Sequence, residues 1–188
     1  MTRSRKSCAR CSEGAIATDA RGMFELKRLS AEALDPAREK ADQYRLLNHP
    51  FLAESICRDI LAVDPDDQGT LVVLCLTLCD QFGVEGGATV RAVMEVVEQL
   101  DDAYDRAYYA GIVAERMAFA SLRRGGMASG EVAYDWFMKA MDHFAAAEII
   151  RPAGNDDAIL RWNTCARVVN ARSDVRPGHE EAGKSMLE

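Results

Sequence analysis

The chain has 188 residues, 48% of them hydrophobic and 7% aromatic, and a formal charge of −7. That length and apolar content argue against wholesale disorder and suit one domain with a sizeable core and tails. The acidic balance argues against nucleic-acid binding by the whole domain, since an acidic body repels phosphate, and it favours a basic or apolar peptide as partner.

Residues 1–34 read mostly as a flexible tail. Arg3, Arg5, Lys6 and Arg10 precede no apolar run, so the pattern is not that of a secretory signal. The longest apolar run, LVVLCLTLC, falls well short of the ~18 residues a membrane span needs. A cytoplasmic protein without membrane contact is the expectation. Cys57, Cys75, Cys79 and Cys165 lie among Ile, Leu and Val, where free cysteine acts as a small buried hydrophobe.

Asp35-Pro36 opens the ordered body, as an N-cap with proline in the first turn. Seven helices follow within 35–172. The first covers about 36–47, with Ala37, Ala41, Tyr44 and Leu47 on one face. Pro50 opens the second, whose apolar residues include Phe51, Leu52, Ile56, Ile60 and Leu61. DPDD ends it and starts the third, about 67–82, which is apolar nearly all round and therefore central. Val90, Val93, Met94, Val97 and Leu100 give the fourth an amphipathic stripe. The fifth spans about 103–123. RRGGMASG separates it from the sixth, and RPAGNDD separates the sixth from the seventh, AILRWNTCARVVN. Residues 173–188 are aperiodic and read as a disordered tail.

One spacing occurs twice. Ala53, Cys57, Ile60 and Pro65 are set apart like Ala140, Phe144, Ala147 and Pro152. In each set a small residue permits close helix approach, two further residues continue the stripe, and a proline stops the helix. The pattern resembles the second helix of the tetratricopeptide repeat (TPR), a ~34-residue helix–turn–helix with A-x3-F and a terminal Pro. Ala41 and Tyr44 match the small and aromatic positions of a preceding helix, and Leu71, Leu74, Cys75 and Leu78 those of the next repeat. The likeness covers about 35–172. It departs from the family where Pro65 and Pro152 lie farther apart than two repeats, a surplus assigned to a long fifth helix and the 124–130 loop. The seventh helix, with Ile159, Trp162, Ala166 and Val169 as its buried face, reads as a cap.

The resemblance implies an all-α superhelix of about three antiparallel helix pairs plus a C-terminal capping helix. It implies a non-catalytic scaffold that binds a protein or peptide partner in a concave groove, with no cofactor. In this family the first helix of each pair lines the groove. On that register Arg38, Asp42 and Arg45 face inward, then Val72, Leu76 and Asp80, then Tyr108, Ile112, Glu115 and Arg116, then Asn163 and Arg167. Trp136, Phe137, Phe144 and Trp162 read as core or repeat-interface anchors. The apolar third helix and Met127 raise a homodimer as a further expectation.

The rival reading is a small metal- or redox-responsive regulator built on Cys8 and Cys11. Their CxxC is half of a tetrahedral zinc site, and the sequence contains no second CxxC. No HExxH, GxSxG or Rossmann glycine pattern is present, so the sequence offers little case for an enzyme.

Overall fold

The computed structural model describes residues 24–178. Cys8, Cys11 and the rest of residues 1–23, together with residues 179–188, lie outside the described residues. After a single 3-10 turn at Ala31–Ala33 come seven α-helices: α1 (Leu34–Leu46), α2 (Pro50–Leu61), α3 (Gln68–Cys79), α4 (Val90–Val97), α5 (Ala103–Arg124), α6 (Ser129–Ile149) and α7 (Asp157–Ala171).

Local chemistry sets most of these boundaries. Asn48, at φ 60°, closes α1 in the left-handed conformation that asparagine tolerates. Pro50 occupies the first turn of α2, where its missing N–H costs nothing. The Asp67 carboxylate accepts from the Thr70 amide (3.0 Å) and hydroxyl (2.9 Å) and so caps α3. Thr89 and Asp102 cap α4 and α5 in the same way. Around Asp67, burial pushes the carboxyl up, but the Thr70 amide, Arg38 and the Thr70 hydroxyl pull it below the usual range.

Each helix packs on the next, and the first members of successive pairs, α1 with α3 and α3 with α5, also touch. No comparable contact joins α2, α4 and α6. Closer approach in one layer bends the array toward it, as in a repeat superhelix. The fold is therefore all-α and helical-repeat-like, with pairs α1/α2, α3/α4 and α5/α6 and α7 packed on α6.

The pairs are unequal. The second members α2 and α4 have 12 and 8 residues, whereas α5 and α6 have 22 and 21. The length surplus thus resides in both helices of the last pair and not in the turn between them. Two core clusters result. Ala41, Cys57, Leu74, Leu78 and Val97 belong to the first, and Phe137, Ala140, Phe144, Ala158 and Cys165 to the second. All six non-proline residues of the duplicated spacing, from Ala53 to Ile60 and from Ala140 to Ala147, are fully buried. Seven of the 12 residues of α3 are buried, and Val72, Val73 and Leu76 are half-buried, so the helix is central as its all-round apolar pattern requires. Met127 stands fully in solvent.

Small residues let α5 and α6 approach closely. A Cβ on Gly111 would stand 2.5 Å from the Phe144 ring. Gly111→Ala is therefore expected to cost about 1–3 kcal/mol through overpacking, more than its helix propensity gain of about 1 kcal/mol returns. Urea unfolding checks this, and adding Phe144→Leu should recover part of the loss.

Two expectations need correction. On α7 the buried residues are Ala158 and Cys165, while Trp162 remains 37% exposed. The helix is rotated so that its two small residues join the second core cluster, while Arg161 on the same helix reaches Glu115 of α5. The C-terminal tail also does not begin at 173. Val175 is buried in the second cluster, and a Cβ on Gly130 would stand 1.9 Å from the Asp174 carbonyl oxygen. The segment therefore lies directly on the first turn of α6, a contact no local pattern announces.

Candidate partner-binding surface

The expected inward residues follow different fates. Arg38 ties the start of α1 to the α2–α3 turn, pairing with Asp67 and Asp35 and lying 3.8 Å from Asp64. With its guanidinium so engaged, Arg38 is a structural clamp. Asp42 is exposed beside a small hollow of about 130 Å³ that Arg38, Ala41, Cys57 and Thr70 also line. Val72 packs half-buried on the first cluster, and Leu76 on the second. Tyr108 stacks on Tyr104 at 5.7 Å and meets Tyr109 edge-on at 5.3 Å. Ile112 is 1% exposed, which removes it from any ligand-contacting set. It belongs to the second core cluster, against which Leu76, Tyr108 and Tyr109 also pack. Asn163 is half-buried and Arg167 exposed on α7.

Glu115 is buried near the middle of α5, where Arg161 of α7 donates to it at 3.1 Å. Burial pushes its carboxyl above the usual range, and Arg161 and Arg116 offset that only in part. Burial likewise pushes the Cys57 and Cys165 thiols up to about 12, so both stay neutral. As neutral thiols they are poor nucleophiles and poor metal ligands.

Arg45, Asp80 and Arg116 do come together. Asp80, just past the end of α3, accepts from Arg45 of α1 at 3.5 Å and from Arg116 of α5 at 3.2 Å. This rung spans the three helices of one layer. It borders an open cleft of about 870 Å³ at the edge of the array where α1, α3 and α5 end. The α1–α2 turn and first turn of α2 form one wall, residues 79–84 the second, and the last turns of α5 the third.

The cleft combines two chemistries. Phe51, Leu52 and Val84 are about half exposed around it, and Phe82 is buried beneath. Arg116, Arg123 and Arg124 supply cations, with Asp80 the one acid of the lining. Of the residues expected from sequence, Arg116 and Asp80 line this cleft and Arg45 borders it through Asp80.

The others were missed for identifiable reasons. Phe51 and Leu52 read only as apolar residues of α2, whose buried positions are Ala53, Cys57 and Ile60. Being off that buried set was the available signal. Arg123 and Arg124 sit where cations ordinarily answer a helix dipole, so their types carried no site signal.

Among the described residues no group of three His, Cys, Asp or Glu side chains gathers around a point, and no helix is long and apolar enough to cross a membrane. No family model matches the chain, and comparisons with curated proteins and with solved structures returned no match. The class defined by fold and surface is thus an all-α, helical-repeat-like array with an edge cleft.

Proposed function

We propose that this chain is a non-catalytic, TPR-like scaffold that binds a protein or peptide partner, and that the partner runs along the inner layer to seat in the edge cleft. The observation that carries this is the cleft itself. Three large apolar side chains stand half in water around an opening bordered by arginines. Covering a half-exposed Phe, Leu or Val contributes roughly 1 kcal/mol each, which offsets part of the cost of association. The arginines add directional donors that orient a carboxylate or a backbone carbonyl. No cofactor enters this function, and neither nucleic acid nor membrane is its partner.

A photo-crosslinking amino acid placed at Phe51, or separately at Val84, tests the proposal in the native cell. Both positions are expected to capture one and the same protein. Lys139, exposed on α6 away from the cleft, is the control and is expected to capture nothing discrete. The same adducts from all three positions, or none from any, would sink the proposal.

A further inference from the structure

We infer that the occupant of the edge cleft is an acidic segment carrying large apolar side chains, a conclusion that rests on the scaffold reading and sharpens it. The chain as a whole is acidic at −7, which by itself points to a basic partner. The cleft has the opposite local charge. Arg116, Arg123 and Arg124 face one lining acid, Asp80, and Asp80 is already shared by Arg45 and Arg116. Arg123 and Arg124 are exposed on the last turn of α5, and neither meets a carboxylate among the described residues.

Screening decides which charge a ligand senses. In ordinary salt the Debye length is about 8–10 Å, so a short segment seated in the cleft responds to the arginines beside it. An extended polyanion, such as a nucleic acid or an anionic bilayer, also spans the acidic remainder of the surface and is repelled there. Local charge therefore favours a short acidic peptide over either of those. The half-exposed Phe51, Leu52 and Val84 require that the same segment carry apolar side chains, since a purely acidic chain would leave them in water.

The test uses the full chain and three short labelled peptides: one of glutamate and leucine, one of lysine and leucine, one of glutamate and serine. Fluorescence anisotropy is expected to show binding of the glutamate–leucine peptide, weakened by added salt. Arg123→Glu/Arg124→Glu is expected to weaken it roughly tenfold or more, as reversing charges that pair with a ligand does. Phe51→Ser/Leu52→Ser should have a comparable effect. All four sites are exposed, and circular dichroism confirms that the helices persist.

Equal binding of the lysine–leucine peptide, or an affinity indifferent to Arg123 and Arg124, overturns the inference. So does arginine-dependent binding of an anionic vesicle or an oligonucleotide in preference to the peptide. Crosslinks from Phe51 and Val84 to one protein, with no affinity for the glutamate–leucine peptide, end this inference while the scaffold reading stands. Failure of both ends both.

Discussion

Replacing Phe144 by alanine is expected to remove about 3–5 kcal/mol of folding stability, the range found for deleting a buried aromatic ring. Phe144 is fully buried. Its ring lies against the backbone of α5 at Gly111 and within 5.9 Å of the Tyr108 ring, centroid to centroid. The cost falls toward the top of the range where the surroundings cannot collapse into the space. Here they cannot collapse easily, because α5 and α6 are held along their length by other small residues, among them Ala118, Ala133 and Ala140. A domain of this kind has about 5–15 kcal/mol in total, so the variant sits close to unfolding at ordinary temperature. The midpoint of urea unfolding, followed by circular dichroism, measures the loss. Met138→Ala, on the exposed side of the same helix, should change stability by no more than about 0.5 kcal/mol. A Phe144→Ala loss equally small would mean that α5 and α6 do not cross at Gly111.

Replacing Arg161 by alanine is expected to cost about 2–4 kcal/mol at neutral pH, somewhat below the ~3–5 kcal/mol that follows removal of one member of a fully buried pair. The reduction reflects Arg161 itself, whose side chain is 40% exposed while that of Glu115 is 2% exposed. Without the guanidinium, Glu115 must either stay ionised in the core or take up a proton.

The pH dependence follows from the direction of the Glu115 shift. Its folded-state value lies above the ordinary 4.5. The folded state therefore holds this proton more tightly than the unfolded state, and stability falls as pH rises from about 4.5 upward. Losing Arg161 raises the folded value further and steepens that fall. The gap between wild type and Arg161→Ala should thus be small near pH 4.5 and widen toward neutrality. Adding Glu115→Gln should flatten the variant's pH profile and restore most of the loss. Unfolding curves across that range test the claim; a gap that stays constant with pH would show that Arg161 contributes packing and not charge.

These two sites differ in how far the sequence revealed them. Ala140, Phe144 and Ala147 stand in a spacing that repeats Ala53, Cys57 and Ile60, and every one of the six is fully buried. Glu115 was placed on an inward face by register, but its partner was not found. Arg161 belongs to a helix whose buried side, Ala158 and Cys165, is set by packing and not by its own apolar pattern. The residues expected in the groove show the same division. Register brought Arg45, Asp80 and Arg116 to one surface. It also placed Ile112 there, which its neighbours cover completely.

What the sequence determined by itself is what local physics controls. Helix number and order, the stops at Pro50 and at the DPDD turn, the central place of α3 and the burial of four cysteines all depend on interactions within a few residues or on simple periodicity. Tertiary structure alone decided the rotation of α7, the burial of Val175 on α6, and the cleft at the ends of α1, α3 and α5. That cleft draws its walls from segments near residues 50, 80 and 120. Its local charge opposes the charge of the whole chain, because electrostatic forces in salt act over about 10 Å, and which arginines fall within that distance is a matter of folding, not of composition.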